Sequence, residues 1–395
     1  MRDATTSVVP STAWRRLAWL LAPLLILAAA IAWITAADPL RNFGSSAPPV
    51  EALTFERTIL DSDGIRIQVR AGGSESMQIA QVQVDDAYWM YTQEPGGPLA
   101  RGSTAWIAVP YPWVLGEAHL IKIVTNTGAT FEHEIAVAVP TPSPSANQLL
   151  PQAIVGAIVG ILPVAIGLMF YPAMRNLGQR GMNFLLALTI GLLVFLLIDM
   201  TGEALEIAAE SAALFQGQAM VLLAALVTFL ILMWIGRRSG RPEGLALAYY
   251  IALGIGLHNF GEGLAIGAAF AAGSAGLGTF LVLGFAVHNV TEGIGIAAPI
   301  VRTRPPLWNF LALALVAGLP AVFGIWLGSL SYAAQWSALA LGIGAGAILQ
   351  VVVEVSALVV RSQKDRPNGW LTAPVLLGLL AGIAFMYATA ALIKI

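Results

Sequence analysis

Two short stretches carry residue types that can hold a metal ion: His258-Asn259-Phe260-Gly261-Glu262-Gly263 and His288-Asn289-Val290-Thr291-Glu292-Gly293. Both read His-Asn-x-x-Glu-Gly, and both lie inside long apolar runs. On a helix, residues four apart share a face, so His258 sits over Glu262 and His288 over Glu292. Asn259 and Asn289 fall on the flank of the same face. Imidazole, carboxylate and amide oxygen together are a ligand set for a borderline divalent cation. The chain has four histidines in all, and two of them are placed here.

A polar patch that glues helices together is the bland reading of one such motif. Two copies in consecutive apolar segments argue for a use. A charge at the centre of a bilayer costs about 2.5–3.5 kcal/mol on insertion scales, and here that cost is repeated. Six acids fall within or at the ends of apolar segments: Asp199, Glu203, Glu206, Glu262, Glu292 and Glu354. No Lys or Arg shares those segments. Carboxylates in hydrocarbon pair with a base, stay protonated or meet a mobile cation, so the set reads as a cation path or as proton carriers. Asp199, Glu203 and Glu206 recur at spacings of four and three, along one stripe of a helix. Asp199 is the deepest of these. Glu354 follows Gln350 by four residues on another helix.

The elements that must position these residues are membrane spans. Charged residues make up 11 % of the chain and hydrophobic ones 57 %. A soluble domain is about a quarter charged. No basic run of the kind that binds a phosphate backbone is present, which excludes a nucleic-acid partner. The cysteine count is zero, which excludes disulfides and thiolate metal sites.

The fold expected is an all-α polytopic membrane bundle with a small β-sandwich attached. Residues 1–37 form an N-terminus and an apolar anchor from Trp14 to Thr35, longer than the apolar core of a secretory signal. Cleavage after Thr35-Ala36-Ala37 is the alternative. Residues 38–139 regain charge and alternate with period two: Ile65, Ile67 and Val69 against Arg66, Gln68 and Arg70, and Phe131, His133 and Ile135 against Glu132 and Glu134. Asn126-Thr127-Gly128 marks a turn. A Pro/Ser linker spans 140–150. Eight core spans follow over 151–395: about Ile154–Tyr171, Phe184–Leu205, Ala219–Ile235, Leu245–Ala269, Leu277–Ile300, Phe310–Leu330, Ala338–Val360 and Leu371–Leu392. A cytoplasmic N-terminus puts Arg15-Arg16, Arg175, Arg180, Arg237-Arg238, Arg302, Arg304 and Arg361 on the cytoplasmic side. The β domain and C-terminus then lie outside the plasma membrane.

The paired motifs in consecutive spans resemble the ZIP (Zrt/Irt-like) family of divalent-metal transporters, most closely its bacterial zinc-uptake members. His258, Asn259, Glu262 and Gly263 match the motif of the family's fourth span, and His288, Asn289, Glu292 and Gly293 the related motif of its fifth. Glu203-Ala204-Leu205-Glu206 resembles the acidic end of the second span, which would put Asp199 where many members have a polar ligand. The resemblance covers roughly residues 150–395. It implies eight spans with both ends outside, and a site between the fourth and fifth, sampled from each side as one helix group slides against another. Two departures stand out. Close relatives have Pro within the motifs, where this chain has Gly261 and Thr291. Many members have Glu before the Pro of the sixth span, where this chain has Leu319 before Pro320. If that Glu helps a second metal site, this chain holds one ion where relatives hold two.

The function expected is therefore import of Zn²⁺, or of Fe²⁺, Mn²⁺, Co²⁺ or Cd²⁺, with His258, Asn259, Glu262, His288, Asn289, Glu292, Asp199 and Glu203 as the metal-site residues and no cofactor beyond the transported ion. Two other classes compete. An intramembrane zinc hydrolase would need three ligands and an activated water, and the chain has no His-Glu-x-x-His. A sensor would bind its ligand at the β domain and keep a degenerate core. His133 between Glu132 and Glu134 is the β domain's own candidate for metal capture, although alternation puts the two Glu side chains on the opposite face. The partners expected are divalent metal ions, membrane lipid and a second copy of the chain in a homodimer.

Overall fold

The computed structural model describes residues 12–37, 50–141, 146–238, 240–271, 275–330, 334–362 and 371–393. It divides into two units, Met1–Val50 and Glu51–Ile395. In the first, helix α1 spans Thr12–Ala37, with Pro23 inside it. Its described side chains include the exposed Trp19, Leu25 and Trp33.

The second unit begins with eight strands: β1 (Leu53–Asp61), β2 (Gly64–Ala71), β3 (Ile79–Val84), β4 (Ala87–Trp89), β5 (Thr92–Glu94), β6 (Thr104–Val109), β7 (His119–Thr125) and β8 (Thr130–Ile135). They form two four-stranded antiparallel sheets, ordered β1-β2-β6-β5 and β4-β3-β7-β8. Successive strand residues point to opposite faces, so the inward set of each sheet is apolar. Ile65, Ile67 and Val69 of β2 and Ile107 of β6 are buried in one cluster with Val82 and Val84 of β3 and Ile121 and Ile123 of β7. The expected alternation on β8 holds: Phe131, His133 and Ile135 turn inward while Glu132 and Glu134 are exposed. The expected turn joins β7 to β8, with Gly128 at φ 91°. Such a backbone favours glycine.

Helices follow: α2 (Ala146–Gly156), a π-helical turn (Ala157–Ile161), α3 (Leu162–Met169), α4 (Tyr171–Arg175), α5 (Gln179–Glu210), α6 (Gly217–Arg237), α7 (Gly244–Ala271), α8 (Ala275–Ala297), α9 (Leu307–Leu330), α10 (Ala334–Ser362) and α11 (Ala373–Ile393). The helical stretch opens at Ala146, inside the 140–150 segment expected as linker; residues 142–145 of that segment lie outside the described ones. Among the described residues, six helices are long and apolar enough to cross a membrane: Asn147–Arg175, Gln179–Glu210, Ala213–Arg237, Leu307–Leu330, Ala334–Ser362 and Ala373–Ala391. The expected fourth and fifth core spans are α7 and α8, which carry the polar motifs and stand outside those six. The apolar faces of α6, including Leu223, Leu226 and Leu230, are exposed.

α7 packs along α9 and α10, α8 along α3, and α5 along α10 and α11. Small residues set these distances. A Cβ on Gly263 would stand 2.9 Å from Ala321 Cα, and one on Gly293 2.8 Å from Gly167 Cα. The final glycine of each motif is therefore what lets α7 meet α9 and α8 meet α3 backbone to backbone. The β region touches the helices through the short turn Ala213–Phe215 before α6: the Arg70 guanidinium lies 5.3 Å from the centre of the Phe215 ring. Arg70 is held there by Glu56, at 2.5 Å.

Candidate metal centre

His258 and Glu262 come from successive turns of α7, and His288 and Glu292 from successive turns of α8. All four are at most 3 % exposed. The helical spacing brings His258 Nε2 within 3.0 Å of Glu262 Oε1, as expected for positions four apart. The second motif behaves differently. His288 Nε2 is 2.8 Å from Glu262 Oε1, across the helix–helix seam, while Glu292 Oε1 stands 3.7 Å from His258 Nε2. The motifs are thus crossed rather than parallel. Ligand atoms of His258, Glu262 and His288 all lie within 4.8 Å of one another, a spread that one ion can bridge.

The asparagines join this centre from outside. Asn259 donates its amide N–H to the Ala317 carbonyl of α9 at 3.0 Å, and Asn289 donates to the Val159 carbonyl of the π turn at 3.0 Å. Each carboxamide is pinned by its nitrogen end. The Oδ1 atoms of both have no hydrogen-bond partner among the described residues, and the same holds for Glu262 Oε2, both oxygens of Glu292 and His258 Nδ1. His258 Nε2, although near Glu262, is not aligned for a hydrogen bond. A buried acceptor without a donor is destabilising by roughly 1–3 kcal/mol. Several of them on the same two motifs as two imidazoles and two carboxylates are acceptors that a cation would satisfy. The donor set of nitrogen and charged oxygen suits Zn²⁺ and its first-row neighbours.

The two acids expected from α5 are not in this group. Asp199 is exposed and Glu203 half-buried. The residue that α5 turns inward is Met200, which is buried. Its Sδ lies beside Gly344 of α10, where a Cβ would stand 3.1 Å from the sulfur and 3.5 Å from His258 Cα. Sequence reading passed over Met200 because a methionine in an apolar helix looks like core filler. Its only signal was its place next to Asp199 on a helix that also carries Glu203.

Glu354 also departs from expectation. Its Oε1 lies 3.5 Å from Arg237 Nη2, at the last turn of α6, so one intramembrane acid does have a basic partner. The guanidinium is carried by a long apolar stem, and the tip reaches a carboxylate that lies far away in sequence. Gln350, one turn earlier on α10, is fully buried against Gly254 of α7, and neither of its polar side-chain atoms has a partner among the described residues.

His133 is placed by the β region. Its ring stacks on Phe55 at 5.0 Å, and its Nε2 meets Thr58 Oγ1 at 3.1 Å. Burial holds its pKa below the usual 6.5. It is not part of any group of three ligating side chains among the described residues.

Two His/carboxylate motifs in contact on adjacent apolar helices make a buried site of the kind a cation within a membrane bundle would need. Residues 239–390 match the family model of the ZIP zinc transporter. The match takes in α7 to α11 except their last residues and leaves out the β region and α2 to α6. No curated protein matches the chain. The family consists of transporters rather than enzymes, and the protein is a multi-pass membrane protein of divalent-metal transport.

Proposed function

We propose that the chain imports Zn²⁺ through the α7–α8 centre, with Fe²⁺, Mn²⁺, Co²⁺ and Cd²⁺ as further cargo. The observation that carries this reading is the convergence of His258, Glu262 and His288 in a fully buried setting, with unpartnered oxygens on Asn259, Asn289 and Glu292 of the same two motifs. His/carboxylate/amide sites accept all of these ions, so the choice among them is left to size and availability. Asp199 and Glu203 act on the approach from the outer end of α5. The β region, residues 38–139, faces outward and the basic residues near helix ends, Arg175, Arg237 and Arg361, face the cytoplasm, in keeping with the positive-inside rule.

The test is uptake into proteoliposomes holding the purified full chain, across a panel of the five ions. Zn²⁺ uptake that is lost in Glu262→Gln is the expected result. A correctly inserted protein that moves none of the five overturns the reading.

A further inference from the structure

The two asparagines are anchored on helix carbonyls that are close to prolines. Asn289 binds the Val159 carbonyl, and residue 163, four positions on, is Pro163. In an α-helix the carbonyl of residue 159 is paired with the N–H of residue 163. Proline has no N–H, and its ring presses on the carbonyl four residues back. The backbone responds at this place: Ala157–Ile161 winds as a π-helix, with the Leu162 N–H bonded to the Ala157 carbonyl five residues back. The relation on the other side of the centre is different. Asn259 binds the Ala317 carbonyl, whose helical donor is the Ala321 N–H, while Pro320 leaves the neighbouring Val316 carbonyl without one. A buried carbonyl that has lost its helical donor needs another, and a side-chain amide can supply it. Pro163 stands where it leaves the carbonyl that holds Asn289 without a helical donor.

We infer that Pro163 is a positioning residue for the metal centre: by withholding an N–H from the Val159 carbonyl, it frees that oxygen to hold the Asn289 amide nitrogen, which turns Asn289 Oδ1 toward the cation. Asn289 and Val159 are buried, and the bond between them is 3.0 Å long. The free Oδ1 follows from the bound Nδ2, because a carboxamide held at one end presents its other end in a fixed direction. Gly293 and Gly167, in backbone contact, bring α8 and α3 close enough for the bond to form. This inference rests on the metal-site reading for its purpose, but the anchor itself does not need a metal.

The experiment is a double-mutant cycle between Pro163→Ala and Asn289→Asp in the purified full chain. Asn289→Asp keeps an oxygen for the cation and removes the N–H donor. Binding is read by titrating Co²⁺ and following its visible absorption, and thermal stability is read without metal. In the wild-type background, Pro163→Ala restores the backbone N–H and is expected to weaken Co²⁺ binding roughly three- to tenfold, the scale of one lost hydrogen bond. In the Asn289→Asp background it should weaken nothing. There the restored N–H should instead raise the thermal midpoint more than it does with asparagine present, because the Val159 carbonyl regains a donor. Pro163→Val supplies the same N–H in a different shape and should follow Pro163→Ala. Equal fold-changes in both backgrounds, or opposite behaviour of Pro163→Ala and Pro163→Val, overturn the inference. So does coupling in stability with no change in Co²⁺ affinity, since the anchor would then serve packing only. A wild-type protein that binds no Co²⁺ overturns the metal-site reading instead, while the metal-free half of the cycle still decides whether the anchor exists.

Discussion

His288 Nε2 on α8 stands 2.8 Å from Glu262 Oε1 on α7, so the carboxylate of the first motif serves the imidazoles of both. Glu292, the partner expected for His288 from spacing alone, keeps both oxygens without a hydrogen bond among the described residues. The two acids are therefore unequal. Glu262 is the bridge between the helices, and Glu292 is the open acceptor.

This inequality sets the first expected outcome. Glu262→Gln removes the only charge that both imidazoles contact closely, and metal affinity should fall by at least the 10–100-fold, roughly, that loss of a supporting ligand partner brings. Glu292→Gln should reduce transport with a smaller loss of affinity. Glu206→Gln, at an exposed position of α5, should transport like the wild type. Metal titration and uptake on the three variants decide the order. Equal losses in Glu262→Gln and Glu206→Gln would remove the centre from the α7–α8 seam.

The motif glycines give a second outcome. A Cβ on Gly293 would stand 2.8 Å from Gly167 Cα and 3.0 Å from Leu168 N, both backbone atoms that cannot move independently. Gly293→Ala should destabilise the protein by about 1–3 kcal/mol, the usual range for overpacking. Gly202 on α5 meets nothing within 4 Å. There Gly→Ala should be neutral or stabilising by up to about 1 kcal/mol, from helix propensity alone. Thermal unfolding in detergent compares the two, and a Gly293→Ala as stable as Gly202→Ala contradicts the close contact.

Arg237 and Glu354 give a third. Removing one partner of a pair whose carboxylate is buried leaves a charge without compensation. The guanidinium is about half exposed and 3.5 Å away, so solvent takes up much of the effect. Arg237→Gln should lower stability by about 1 kcal/mol, and Arg237→Gln combined with Glu354→Gln should recover most of it. Additive effects in that cycle would show that the two groups do not interact.

The pH response of the β region follows from His133. Its folded-state pKa is depressed by burial below 6.5, so the fold favours the neutral ring. A group with a depressed folded pKa contributes stability that is fully present above the unfolded value and is lost as pH falls through the folded one. Hydrogen-exchange protection of β1 and β8 should therefore hold above about pH 6.5 and decline below it. His133→Phe, which keeps the stack on Phe55, should flatten that decline. A decline of the same size in the variant would assign the response to another group.

Much of this protein was legible in its residues taken in order. Period-two alternation gave the inward faces of β2 and β8, because a strand has only two sides. Long apolar runs gave the membrane class, and the four-residue spacing of His258 and Glu262 gave their contact, because both follow from the geometry of a single element. Relations between elements were decided only by the tertiary structure. The spacing of four suggested His288 with Glu292, and the fold paired His288 with Glu262. The charge of Asp199 drew attention to α5, and the rotation of that helix turned Met200 inward instead. Glu354 found Arg237, which no reading of a single span would join to it. Helical periodicity fixes which residues share a face. It leaves open how far that face is rotated toward its neighbour, which depends on packing with other helices, such as the backbone contacts that Gly263 makes with α9 and Gly293 with α3.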